Sequence, residues 1–148
     1  MNLCEEFISL YTNKFPFKEI IRQGRQYYLS TKKQQEILNA LPEQAQSFGL
    51  FLGEKTAQGF KPSPGLLELI AKNTTKIITI EEKAAWLFVC GRDIFKENIM
   101  NEQSDLLSKQ VIVQNEKGEV LGCAKRSKQG RVAYKNILDI GIYLRQEK

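Results

Sequence analysis

Residues 74–99, TTKIITIEEKAAWLFVCGRDIFKENI, decide the reading of the fold. The first seven are rich in β-branched side chains, which suit a pleated, half-buried surface, and read as a strand over 74–80 that opens a new unit. The period then changes. Ala84, Leu87 and Phe88 fall on one stripe of a helix predicted over 80–90, and Gly91 is placed to end it. Thr79-Ile80-Glu81-Glu82 has capping-box form, because the threonine hydroxyl can accept from the Glu82 backbone while that glutamate reaches back. Trp86-Leu87-Phe88-Val89, beside Ala84 and Ala85, reads as core rather than as a platform for stacked bases.

Downstream, Val111-Ile112-Val113-Gln114, the turn Asn115-Glu116-Lys117-Gly118, and the strand beginning Glu119-Val120-Leu121 form the clearest hairpin in the sequence. A last strand over 137–144 is expected to close the sheet. Upstream, Leu3, Phe7, Leu10 and Tyr11 recur at helical spacing, and Gly24 with Arg25 to Leu29 reads as a turn and a short strand. A helix is predicted over 31–41, started by Ser30 or Thr31 and followed by Pro42. A strand over 47–55 pairs with one around Gly59-Phe60-Lys61, and Ser63-Pro64 is an N-cap followed by proline at the first helical position. The expected organisation is α+β. Residues 1–73 form an N-terminal α/β domain with an antiparallel sheet and helices, and residues 74–148 form a β-rich domain.

The chain has 148 residues, 42% hydrophobic and 26% charged, which suits a soluble globular protein. No apolar run approaches the roughly 18 residues of a membrane span, and the start MNLCEEFISL carries acids where a signal peptide would be basic. The expected location is therefore cytoplasmic, with no membrane partner. Cys4, Cys90 and Cys123 are odd in number and lack CxxC spacing, so reduced and mostly buried thiols are expected.

The complete absence of histidine removes Ser-His-Asp and Cys-His nucleophilic schemes, histidine acid-base work and the commonest metal ligand. Gly49, Gly53, Gly59 and Gly65 are scattered and make no phosphate-binding loop. Glu81-Glu82 suits a helix start better than a catalytic pair. No enzymatic activity, cofactor or metal is expected.

Charge is distributed unevenly. From Gly122 onward seven bases face two acids, whereas the first 121 residues hold fifteen of each. The net charge of +5 thus sits in one stretch, as on a polyanion-binding surface. Lys125, Arg126, Lys128 and Arg131, with Lys135 just beyond, can neutralise phosphates, and Tyr134 or an arginine could stack on an unpaired base. Arg92 and Lys96 are weaker extensions of that surface. A solvated basic edge that protects the sheet from association is the competing reading.

The run over 77–99, together with Gly118-Glu119-Val120-Leu121-Gly122 and the closing Asn136-Ile137-Leu138-Asp139-Ile140-Gly141-Ile142-Tyr143-Leu144-Arg145, resembles a PUA domain of the ribosome-biogenesis factors of the Nip-seven kind. Gly49-Leu50-Phe51-Leu52-Gly53, Phe60 and Leu66-Leu67-Glu68-Leu69-Ile70-Ala71 sit where that family has its β-hairpin and the helix leading into PUA. The resemblance implies a pre-PUA α/β domain followed by a PUA-type β pseudobarrel, without catalysis. It implies binding of single-stranded, uridine-rich pre-rRNA during large-subunit assembly, alongside other assembly or RNA-processing proteins. The family's RNA-binding surface would correspond to Lys125, Arg126, Lys128 and Arg131. The short N-terminus suggests an archaeal version. An RNA-targeting subunit of an RNA-modifying enzyme, or an adaptor acting through exposed Phe15, Phe17 and Tyr27, are the alternatives.

Overall fold

The side-chain oxygen of Asn2 accepts from the Glu5 N–H at 2.9 Å, and the helix α1 that it caps runs over Leu3–Ser9. The computed structural model describes residues 1–30, 49–102, 109–128 and 130–142. They fall into two compact units, Met1–Ile70 and Ala71–Lys148. The helix predicted over 31–41 lies outside the described residues. No described helix is long and apolar enough to cross a membrane.

The first unit carries a four-stranded antiparallel sheet in the order β1-β2-β3-β4: Ile20–Gln23, Gln26–Leu29, Leu50–Thr56 and Gly59–Pro62. Only the second arm of the first hairpin shows in the sequence, because β1 is short and is defined by its pairing with β2. Aromatic packing builds the core of this unit. Phe7 of α1 lies 5.4 Å from both Tyr11 and Phe60, and Tyr27 meets Phe60 edge-on at 5.7 Å. Helix α2 spans Pro64–Ala71 and buries Leu66, Leu67 and Ile70. Its start is as predicted: the Ser63 hydroxyl accepts from the Leu66 N–H at 3.1 Å and donates to the Phe51 carbonyl at 2.8 Å.

The second unit holds a six-stranded sheet in the order β6-β10-β9-β8-β5-β7, curled into a nearly closed barrel. Its strands are β5 (Ile77–Ile80), β6 (Ile94–Phe95), β7 (Ile99–Glu102), β8 (Gln110–Gln114), β9 (Val120–Arg126) and β10 (Val132–Asp139). Helix α3, Glu82–Val89, adds Ala84, Ala85 and Phe88 to a core of Ile78, Ile80, Ile94, Val111, Val113, Leu121, Ala124 and Tyr134. β5 runs parallel to β8, and every other pairing in this sheet is antiparallel. The predicted β8–β9 hairpin is present. Asn115 Oδ1 accepts from the N–H groups of Lys117 and Glu119, which closes its turn.

Several expectations for this unit need correction. Thr79 does not cap α3: it belongs to β5, where its hydroxyl accepts from the Gln114 amide at 3.0 Å, and the N-cap residue is Glu81 without a side-chain cap bond. Trp86 is 69% exposed, because Ala84, Ala85 and Phe88 occupy the core-facing side of this short helix. The closing strand begins at Val132 rather than Ile137 and ends at Asp139. Burial of Tyr134 and pairing of Val132 with Phe95 draw the earlier residues into the sheet.

Cys4 and Cys123 are fully buried, whereas Cys90 is exposed at the end of α3. Burial, and secondarily the Glu5 carboxylate, pushes the Cys4 thiol up to about 12. An aromatic disulfide reagent at mildly alkaline pH is expected to label one thiol quickly, and Cys90→Ser should abolish that phase. Fast labelling of Cys4 in the folded protein would contradict this packing.

Candidate nucleic-acid interface

Of the predicted basic residues, Lys125 and Arg126 end β9, Lys128 and Arg131 lie between β9 and β10, and Lys135 is on β10. Antiparallel register sets Lys135 directly opposite Lys125 and Tyr134 directly opposite Arg126. Successive side chains alternate between faces, so the lysine pair and the Arg126–Tyr134 pair lie on opposite sides of the sheet. The five residues therefore do not share one face.

On the first side, Gln110 of β8 pairs with Lys125, giving a row Gln110–Lys125–Lys135. Both lysines are exposed, and no ion pair neutralises either one among the described residues. Like charges set directly across a sheet are destabilising, and a bound anion would relieve that repulsion. Lys128 lies exposed between β9 and β10 and also has no ion pair among the described residues.

On the other side, Arg126 is committed within the protein. Its Nη2 donates to Glu102 Oε1 at 2.9 Å, and its guanidinium carbon stands 5.2 Å from the centre of the Tyr134 ring. The buried Tyr134 hydroxyl donates to the same Glu102 oxygen. These groups line a cavity of about 480 Å³ together with Lys96, Ile99, Ser127 and Ala133. Arg131 is 86% exposed and lies 3.6 Å from Glu97, itself 58% exposed, a pair that contributes little and exchanges readily.

Two residues join this edge through tertiary structure. The Lys96 N–H donates to the Arg131 carbonyl at 3.4 Å, and Phe95, 42% exposed, pairs with Val132. The sequence offered Lys96 only as an isolated charge. It gave no sign of Phe95, because β6 is two residues long and exists through β10. Arg92 stays at the end of α3, where its carbonyl accepts from Asn136 at 3.4 Å. Asn136 also donates its side-chain amide to the Phe88 carbonyl and its N–H to Asp93 Oδ1, both at 2.9 Å, which fixes the helix end to β10. Arg145 and Lys148 lie outside the described residues. Among the described residues no group of three Cys, Asp or Glu side chains could hold a metal ion.

The nearly closed six-stranded sheet of the second unit matches a PUA-type pseudobarrel fold. Residues 76–148 match the family model described as UPF0113 PUA domain, so this half of the chain is a PUA domain, which points to RNA binding. The whole chain is similar in fold to the solved "Structure of a Conserved PUA Domain Protein from Thermoplasma acidophilum". That match has a TM-score of 0.58 and 18% identity, and covers 99% of this chain and 96% of the other. Among curated proteins, none matches this chain.

Proposed function

We propose that this protein is a non-catalytic assembly factor that holds uridine-rich single strands of large-subunit precursor rRNA while other proteins act on them. The observation that carries this reading is the un-neutralised pair Lys125–Lys135 at the edge of a PUA domain, with Lys128 and Arg131 just beyond. Such charges bind phosphates with little sequence preference, so base preference would fall to stacking groups such as exposed Phe95. The resemblance of residues 77–99 to the Nip-seven kind supports the ribosomal role. The adaptor alternative asked for exposed aromatics, but Phe15 and Tyr27 are buried and Phe17 is partly buried.

Fluorescence-anisotropy titrations with uridine-rich and adenine-rich strands and a matched duplex, across a salt series, test the proposal. The tightest binding is expected for the uridine-rich strand, weakening steeply as salt rises. Equal affinity for the duplex would remove the single-strand reading, and no binding at low salt would remove RNA binding altogether. Co-purification with tRNA and a catalytic subunit, rather than with large-subunit precursor rRNA, would favour a targeting subunit of a modifying enzyme.

A further inference from the structure

The first unit has a cationic cleft of its own. Its two hairpins turn at the same end of the four-stranded sheet, at Gly24-Arg25 between β1 and β2 and at Ala57-Gln58 between β3 and β4. The Lys55 N–H donates to the Arg25 carbonyl at 2.7 Å, which holds the two turns together. Arg22 and Lys55 fall on one face of the sheet, because Arg22 pairs with Tyr27, Tyr27 with Gly53, and Lys55 lies two residues beyond Gly53. A cavity of about 450 Å³ results, lined by Arg22, Gly24, Arg25, Lys55, Thr56 and Ala57.

All three cations are exposed, and none is held in an ion pair among the described residues. Glu54, the nearest acid in sequence, points to the opposite face and stands across from Lys61 in register. Arg22 is partly organised in advance, since its Nε donates to the Gly24 carbonyl at 2.9 Å. That bond fixes the guanidinium plane and leaves both terminal nitrogens for a forked contact with an oxyanion. The rest of the lining is small: a glycine, a threonine and an alanine. It offers no aromatic ring to stack on a base and no apolar anchor of the kind that dominates protein–protein contacts.

We infer that the cleft of Arg22, Arg25 and Lys55 is a second RNA-binding site, in the first unit, that grips the phosphodiester backbone without reading bases. This rests on the RNA-binding function proposed above, and it extends that function to a part of the chain whose overall charge gives no hint of it. Three contacts at roughly 0.7 counterions per phosphate on a single strand correspond to about two units of salt slope.

The test compares the full-length R22A/R25A/K55A variant with wild type on a long uridine-rich strand across a salt series, with thermal melts confirming the fold. The expected result is a salt slope shallower by about two units and an affinity at least tenfold weaker at low salt. R22K/R25K, which keeps the charge, should retain most of the wild-type slope. An alanine variant with wild-type affinity and slope would overturn the cleft while leaving RNA binding by the PUA domain intact. Weakened binding with an unchanged slope would also overturn it, because no phosphate contact would have been lost. Failure of wild type to bind any strand would overturn both readings.

Discussion

Alanine at Lys125, Lys128, Arg131 and Lys135 together is expected to weaken binding to a uridine-rich strand by on the order of a hundredfold or more near ~0.1 M salt. The same variant should flatten the salt dependence by about three units, since each lost phosphate contact on a single strand releases roughly 0.7 fewer counterions. The choice of four follows from geometry. Lys125 and Lys135 face each other across β9 and β10 with no carboxylate between them, and Lys128 and Arg131 lie exposed in the connecting segment. Arg126 is left in place because Glu102 and Tyr134 already engage it. Arg126→Ala should act differently: it takes a partner from a partly buried carboxylate and cover from the Tyr134 ring. Its main effect is expected on stability, with a salt slope close to that of wild type. Anisotropy titrations of both variants separate the two roles, and a four-residue variant that binds like wild type would show that RNA lies elsewhere.

Gly122→Ala is expected to destabilise the PUA unit by about 3–5 kcal/mol, a large share of the stability of an ordinary domain. Gly122 has φ of 152°, a conformation that side chains rarely adopt, and it faces Asp139 just beyond the bulge that the β9–β10 ladder has between Asn136 and Leu138. A Cβ there would lie 2.0 Å from the Leu138 carbonyl oxygen and 2.8 Å from the Asp139 Cα. Both are backbone atoms of a paired strand, so no rotamer change can relieve the clash. Gly118→Ala is the control, since Gly118 turns the β8–β9 hairpin with φ of 80° and open space around it. It should cost about 1 kcal/mol. Chemical denaturation of the two variants decides the matter, and equal losses would mean that close strand approach contributes nothing at Gly122.

Features set by neighbours in sequence are legible in the chain alone. Ser63-Pro64 starts a helix because one hydroxyl reaches an N–H three residues on, and Asn115 to Gly118 turns a hairpin through bonds among a few adjacent residues. Elements that exist only through a distant partner were not legible. β1 and β6 are too short to show a period, and Thr79 looked like a cap until strand pairing claimed it. Trp86 illustrates the same limit, because an eight-residue helix exposes a large apolar side chain once smaller ones have filled the core side.

The candidate site was half legible. The excess of bases after Gly122 marks the right strands, yet charge along a sequence carries no information about faces. Lys125 and Arg126 are neighbours in the chain and stand on opposite sides of the sheet. The cleft of Arg22, Arg25 and Lys55 was hidden for a related reason. Its members come from two hairpins, in a stretch where acids and bases balance, and only the pairing of turns brings them together.

The strand order of the PUA unit also governs when it can form during synthesis. Among the described residues β6 pairs with β10 alone, which leaves the ribosome some forty residues later. β5 pairs with the nearer β7 on one side, but on the other it needs β8, to which it runs parallel, so that second pairing must likewise wait for a distant segment. β8, β9 and β10 can pair in the order in which they are made, but the barrel cannot close until β5 has met β8 and β6 has met β10. The first unit, whose paired strands follow one another in sequence, is free to fold as it emerges. The nascent second unit remains open, with Ile94 and Phe88 uncovered, until Tyr134 arrives. Ribosomes stalled before that residue should therefore present a protease-sensitive second unit behind a protected first one.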